Sequence, residues 1–123
     1  KKIIPFDSRE VFMYIYQITY TKEDLAYKLK NIDNIIRHKE FDVNVKDNNE
    51  SLLDHLMWAR KRSVVDSHRS INNYYPFIEH LLKNPNTKIN VDIVRDLITN
   101  QDYKMIALFK KYKRIPKALK GLI

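Results

Sequence analysis

Apolar residues recur along this chain in short stripes of helical period. Val11, Tyr14, Ile15 and Ile18 fall at i, i+3, i+4 and i+7, which places them on one helix face and predicts a helix from near Ser8. Leu25, Leu29, Ile32 and Ile36 carry a second stripe to about His38, with Thr21 as candidate cap, Asp24 three residues on, and a break expected near Asn31. Ser51 suits an N-cap, because its hydroxyl can accept an orphan backbone N–H, for a helix carrying Leu52, Leu53, Leu56 and Met57. Pro76 fits the first turn of a helix with Phe77, Ile78, Leu81 and Leu82. That helix ends at Asn84-Pro85, since a residue before proline is driven out of the helical region. Ile93, Val94, Leu97 and Ile98 predict a short helix, and Met105, Ile106, Leu108, Phe109 and Tyr112 the next; Pro116 opens a tail. Phe41–Val45 and Lys88–Val91 read as short extended pieces. The pattern is all-α.

Two stripes repeat. IDNIIRHKEFDVN (Ile32–Asn44) aligns without a gap on IEHLLKNPNTKIN (Ile78–Asn90), at an offset of 46 residues. Ile32 meets Ile78, Ile35-Ile36-Arg37 meets Leu81-Leu82-Lys83, and Val43-Asn44 meets Ile89-Asn90. Met105, Leu108, Phe109 and Lys110 form a shorter third echo. Each copy follows another short helix, so the unit is helix, turn, helix, extended loop. One such unit cannot bury its apolar face alone; stacking on the next copy buries it.

These residues resemble ankyrin repeats. DVNVKDNNESLLDHL (Asp42–Leu56) is similar to the stretch that ends one ankyrin repeat with D-V-N-x-x-D and opens the next helix. FIEHLLKNPNTKINVD (Phe77–Asp92) is similar to the family's second helix running into a loop that ends in V-N. The resemblance implies an α-solenoid: a short stack of about three helix-turn-helix repeats over residues 1–112, with a hairpin finger over residues 42–50. It also implies partner contact through a concave face of inner helices and fingers. The sequence departs from the family at several points. Ser51-Leu52-Leu53-Asp54 stands where the family has T-P-L-H. The finger holds no glycine, so Asn48 or Asn49 must take the left-handed conformation, which Asn tolerates best after Gly. The offset exceeds the family's roughly 33 residues, and the surplus falls in Trp58–Asn73.

Composition narrows the function classes. A chain of 123 residues predicts one domain, and 44% hydrophobic residues are too many for a disordered chain. The absence of cysteine excludes disulfides and thiolate chemistry and suits a reducing, cytoplasmic setting. No apolar run approaches the ~20 residues that span a bilayer. KKIIPFDSRE lacks the apolar core of a signal peptide and an initiating Met, consistent with a piece of a longer protein. The net charge of +8 is uneven: residues 1–103 hold 16 basic and 15 acidic side chains, residues 104–123 seven basic and none acidic. Lys110, Lys111, Lys113, Arg114, Lys117 and Lys120 are therefore candidates for an anionic partner through a basic tail, residues 113–123. A polar cap on the stack, loose beyond Tyr112, is the plainer reading of the same segment.

The body has no glycine for a phosphate loop or a dinucleotide turn. His38, His55, His68 and His80 show no metal-ligand spacing. Adjacent Asp54 and His55 point about 100° apart on a helix and make no dyad. No catalytic residue, metal or other cofactor is predicted. Candidates for partner contact are the finger (Lys46, Asp47, Asn48, Asn49, Glu50), the inner helix (Asp54, Trp58), and the insert over residues 58–73 with Arg60, Lys61, Arg62, Tyr74 and Tyr75, joined by His68 and Arg69. Trp and Arg are frequent interface anchors; a core Trp58 beside a solvated basic helix end is the alternative.

The expected function is a non-catalytic protein–protein interaction module with a protein partner and no small-molecule substrate. Alternatives are nucleic-acid or anionic-membrane binding through the tail, which would weaken with salt and on deleting residues 113–123, and an accessory helical domain of a larger enzyme. The richness in Lys, Asn, Ile and Tyr fits a viral, intracellular-bacterial or protozoan source, in which ankyrin-like proteins often address host factors.

Overall fold

A computed structural model of the chain describes residues 5–65 and 73–123. The predicted stripes form helices α1 (Glu10–Tyr20), α2 (Leu25–Ile36), α3 (Leu52–Val65), α4 (Tyr75–Lys83), α5 (Val91–Thr99) and α6 (Tyr103–Lys111). A two-stranded ribbon, β1 (Lys46–Asp47) with β2 (Glu50–Ser51), precedes α3, and a 3-10 segment (Lys117–Leu122) ends the chain. The described residues are thus mostly helical, as the all-α pattern predicts.

The helices pack in consecutive pairs, α1 with α2, α3 with α4, and α5 with α6, while α1 also lies along α3. Short helices are marginal alone, so their stability comes from these shared apolar faces. One core runs through all pairs: Val11, Ile15 and Ile18 of α1, Ile32 and Ile36 of α2, Leu52, Leu53 and Leu56 of α3, Ile78, Leu81 and Leu82 of α4, Val94 and Leu97 of α5, and Met105 and Phe109 of α6. The two copies of the sequence repeat, Ile32–Ile36 and Leu81–Leu82, sit on the second helix of the first and second pairs.

The polar stretch after Val45 is a hairpin tip. Lys46 faces Ser51 and Asp47 faces Glu50, and both Asn48 (φ 51°) and Asn49 (φ 65°) are left-handed. A two-residue hairpin loop with positive φ at both central positions matches the strand twist, and Asn takes that conformation at the lowest cost after Gly. The Ser51 hydroxyl then accepts the Asp54 N–H (3.1 Å) and starts α3. The second junction has no finger: residues 87–90 lead straight into α5, with the Asn90 side chain accepting the Asp92 N–H at 2.9 Å.

Side chains tie each loop to the next. The Asp42 N–H donates to the Ser8 hydroxyl (3.0 Å). The Asn44 amide donates to the Asn86 carbonyl (2.8 Å) and accepts the Lys88 N–H (2.8 Å). The Arg114 guanidinium donates to the carbonyls of Asn84 (3.5 Å) and Pro85 (3.4 Å) and also to that of Thr87. The last two helices end alike. After α5, Gln101 is left-handed (φ 55°), its N–H donates to Ile98 O (3.1 Å), and that of Asp102 to Leu97 O (2.9 Å). After α6, Lys113 (φ 57°) donates to Lys110 O (3.0 Å) and Arg114 to Phe109 O (2.8 Å). Both are Schellman turns with a bulky residue where glycine is usual.

Some expectations are corrected. Thr21 does not cap α2; its N–H closes α1 on Gln17 O (2.8 Å), and α2 enters through a left-handed Asp24 (φ 52°). No break falls at Asn31, because burial of Ile32, Ile35 and Ile36 outweighs the few tenths of a kcal/mol by which Asn disfavours a helix. The insert begins as helix, since α3 continues through Trp58 to Val65. The segment beyond Tyr112 is not loose: Ile115 and Leu119 are buried in the core, and the 3-10 turn lies on α5.

Between the last two pairs the Tyr112 hydroxyl donates to Glu79 (2.9 Å), with Lys111 at 3.6 Å from the same oxygen. This hydrogen bond, helped by Lys111 and Lys83, holds the Glu79 carboxyl below its usual range.

Two outcomes follow for stability. Gln101→Gly or Lys113→Gly should raise the unfolding free energy by about 0.5–1 kcal/mol, and Asn49→Ala should lower it by a similar amount, read by urea denaturation. A carboxyl whose folded pKa is lowered adds stability above its unfolded pKa and loses it as pH falls through the folded one. The stability gap between the native chain and Tyr112→Phe should therefore be present at pH 7 and close as pH falls below the ordinary glutamate pKa of about 4.5.

Candidate functional site

Helices α1, α3 and α5 each carry a second stripe at helical spacing, away from the core. On α1 it is Met13, Tyr16 and Tyr20; on α3, Asp54, Trp58 and Lys61; on α5, Ile93, Asp96 and Asn100. The first two stripes meet edge to edge. The Trp58 ring centre lies 5.9 Å from Tyr16 and 6.3 Å from Tyr20, and the two tyrosines stand 6.5 Å apart with nearly parallel rings. These aromatics remain open to solvent: Trp58 is 37%, Tyr16 43% and Tyr20 51% exposed. Trp58 is therefore neither a core residue nor a free side chain. It packs on the two tyrosines and on the His55 ring, and the remainder faces out.

His55 anchors this ridge from below. It is 1% exposed, with its ring 4.6 Å from Tyr16, 5.3 Å from Trp58 and 5.2 Å from Phe12. Its Nδ1 lies 2.6 Å from a Glu50 carboxylate oxygen. The carboxylate accepts there, which puts the proton on Nδ1. Nε2 is buried among the rings without a hydrogen-bond partner. The base of the finger and the aromatic ridge are thus joined by one hydrogen bond. A buried Nε2 has no access to a substrate, and the pair fixes a ring orientation.

The second and third stripes border a groove of about 610 Å³ between α3 and α5. Met57, Ile93 and Leu97 contribute apolar surface, and Asp54, Asp96 and Asp102 carboxylates. Trp58, Lys61 and Asn100 also line it, so the groove opens directly beside the aromatic ridge. Its spacing is held by Arg60, which is buried and pairs with Asp102 Oδ2 at 2.5 Å. The other Asp102 oxygen accepts the Met105 N–H (3.3 Å) and starts α6. Burial raises the Tyr75 phenol above its usual range, next to the Arg60 guanidinium. The Lys104 ammonium stands 4.6 Å over the Tyr75 ring.

The predicted contact residues separate into three groups. Asp54, Trp58 and Lys61 come together at the groove, and Arg62 is exposed one residue on. Lys46, Asn48 and Asn49 are exposed on the finger and Asp47 is half-buried, while Glu50 is engaged by His55. Arg60 and Tyr74 are corrections. Arg60 is buried in its ion pair, and Tyr74 is 1% exposed with its hydroxyl 2.9 Å from Thr19 Oγ1. Both are held by partners distant in sequence, so neither is open to a partner protein. Tyr75 is half-buried. Among the tail candidates, Lys110, Lys111, Lys113, Lys117 and Lys120 are exposed, and Arg114 is spent on the loop carbonyls. His68 and Arg69 lie outside the described residues.

Sequence reasoning missed Met13, Tyr16, Tyr20, Ile93, Asp96 and Asn100. The available signal was a second apolar stripe on α1, opposite Val11, Ile15 and Ile18. Among the described residues no group of three His, Asp or Glu side chains is placed to hold a metal ion, and no helix is long and apolar enough to cross a membrane. Comparison with protein-family models, with characterised proteins and with solved structures gives no match.

Removing the Arg60 charge leaves Asp102 half-committed in a low-dielectric site. Arg60→Met should cost roughly 3 kcal/mol in urea unfolding at pH 7, against less than about 0.5 kcal/mol for Lys61→Met on the exposed side of the same helix.

Proposed function

We propose that this chain is a non-catalytic protein–protein interaction module of ankyrin-like solenoid form, which binds a partner protein through the face presented by α1, α3, α5 and the finger. The observation that carries this reading is the contiguous exposed ridge of Tyr16, Tyr20 and Trp58 running into the α3–α5 groove. Contiguous exposed apolar surface marks interaction sites, whereas scattered exposed residues do not. Rings locked by packing lose little freedom when a partner lands on them, which favours binding. The solenoid reading is supported by helix pairs in chain order, by the sequence repeat falling on the second helix of successive pairs, and by loops tied one to the next. A cytoplasmic setting suits a chain without cysteine.

A second reading draws on the exposed Lys110, Lys113, Lys117 and Lys120, which stand without a nearby acidic residue in sequence. These would bind an anionic partner, nucleic acid or lipid, with affinity falling steeply in salt. Deleting residues 113–123 does not separate the readings, because Ile115 and Leu119 belong to the core. Charge reversal at the exposed lysines does.

Affinity capture from a source-cell lysate should compare the native domain with Trp58→Ala and with Lys113→Glu/Lys117→Glu/Lys120→Glu, each checked for an unchanged melting curve. The interaction-module reading expects the captured protein to be lost on Trp58→Ala, by about 30-fold or more in affinity if Trp58 is a hot spot, and to survive the lysine reversal. The opposite pattern would transfer the function to the basic segment.

A further inference from the structure

We infer that the α3–α5 groove takes a basic, amphipathic peptide segment of the partner: an apolar side chain on the floor of Met57, Ile93 and Leu97, followed by a Lys or Arg whose cationic head meets Asp54 and Asp96 and whose stem lies on Trp58. This rests on the reading of the inner-helix face as a docking surface.

Charge supplies the first argument. Residues 1–103, which supply the whole groove, are close to neutral, with 16 basic and 15 acidic side chains. The groove is net acidic, since three carboxylates and two cations line it. Arg60 is consumed by Asp102, which leaves Lys61 alone against Asp54 and Asp96. Neither of these two carboxylates is paired with a cation among the described residues. An acidic segment would meet like charges here, which disfavours it; a basic one is steered in and registered by the same groups.

The second argument is an unmet hydrogen-bond acceptor. Asp54 Oδ1 is buried without a donor. A carboxylate oxygen in that state is costly. That buried oxygen makes an unpaired Asp54 charge costlier still, and a cation brought to the carboxylate from the groove, which Asp54 lines, offsets part of that cost. The aromatic ridge supplies the third. A Lys or Arg stem covers Trp58, which lines the groove and whose ring attracts cations. The volume of about 610 Å³ suits a few side chains.

The test begins with a random 12-residue peptide library displayed on phage and selected on the native domain, with Trp58→Ala as counter-target. Enriched peptides are then synthesised. Trp58 is the only tryptophan, so its fluorescence reads binding at the site without a label. The expected result is a consensus that places Lys or Arg beside Leu, Ile, Met or Phe. Affinity should fall at least fivefold in Asp54→Asn/Asp96→Asn, and at least threefold in Asp96→Asn alone, which touches only an exposed side chain. Trp58-dependent peptides with an acidic or uncharged consensus, or affinities unmoved by the Asn variants, would overturn the basic-segment inference and leave the docking face standing. A selection that yields no Trp58-dependent peptide would overturn both.

Discussion

The ion pair between Arg60 and Asp102 fixes the distance between α3 and α5, and the groove exists because that distance is fixed. Asp102 is placed by the turn that ends α5, and its two oxygens then serve two elements, one the start of α6 and the other the α3 guanidinium. Arg60 is buried, so the pair acts in a low-dielectric setting where loss of either member strands a charge. A cation that sequence alone offers as a surface contact is in fact the strut beneath that surface. What remains exposed above it is Trp58, Lys61 and Asp96, with Asp54 half-buried between them.

The same economy governs the loops. Ser8, Asn44 and Arg114 each satisfy backbone groups of a neighbouring loop that no helix or strand pairs. Backbone polar groups between short helices need partners, and polar side chains placed one loop apart provide them. The helices on either side inherit their relative placement from these bonds as well as from the core. The exposed face of α1, α3 and α5 is the outcome of both constraints.

Much of the fold was legible because local period and local chemistry agree. The core stripes, the Ser51 cap, the Asn48-Asn49 tip and the stop at Asn84-Pro85 each depend on residues within a few positions. What stayed hidden depends on residues far apart. Arg60 and Tyr74 look exposed until Asp102 and Thr19 come to meet them. Ile115 and Leu119 stand four residues apart, but Pro116 follows Ile115 and lysines surround both, so nothing local separates a docked segment from a loose one. The outward stripe of α1 was obscured for another reason: an aromatic at helical spacing reads the same whether it faces a core or a partner. Trp58 is intermediate, packed on Tyr16, Tyr20 and His55 and still 37% exposed. The repeat was visible, but its unequal junctions were not, since a finger at one and a plain loop at the other differ only in a handful of polar residues.

The joints turn without glycine. Asp24, Asn48, Asn49, Gln101 and Lys113 all adopt left-handed backbone, and the sole glycine lies elsewhere. Such residues roam less of conformational space than glycine before the chain collapses, so less freedom vanishes when a joint closes. The strain carried in each folded corner is partly offset by that smaller entropic loss, and the helices reach one another along a chain already stiffened at its hinges.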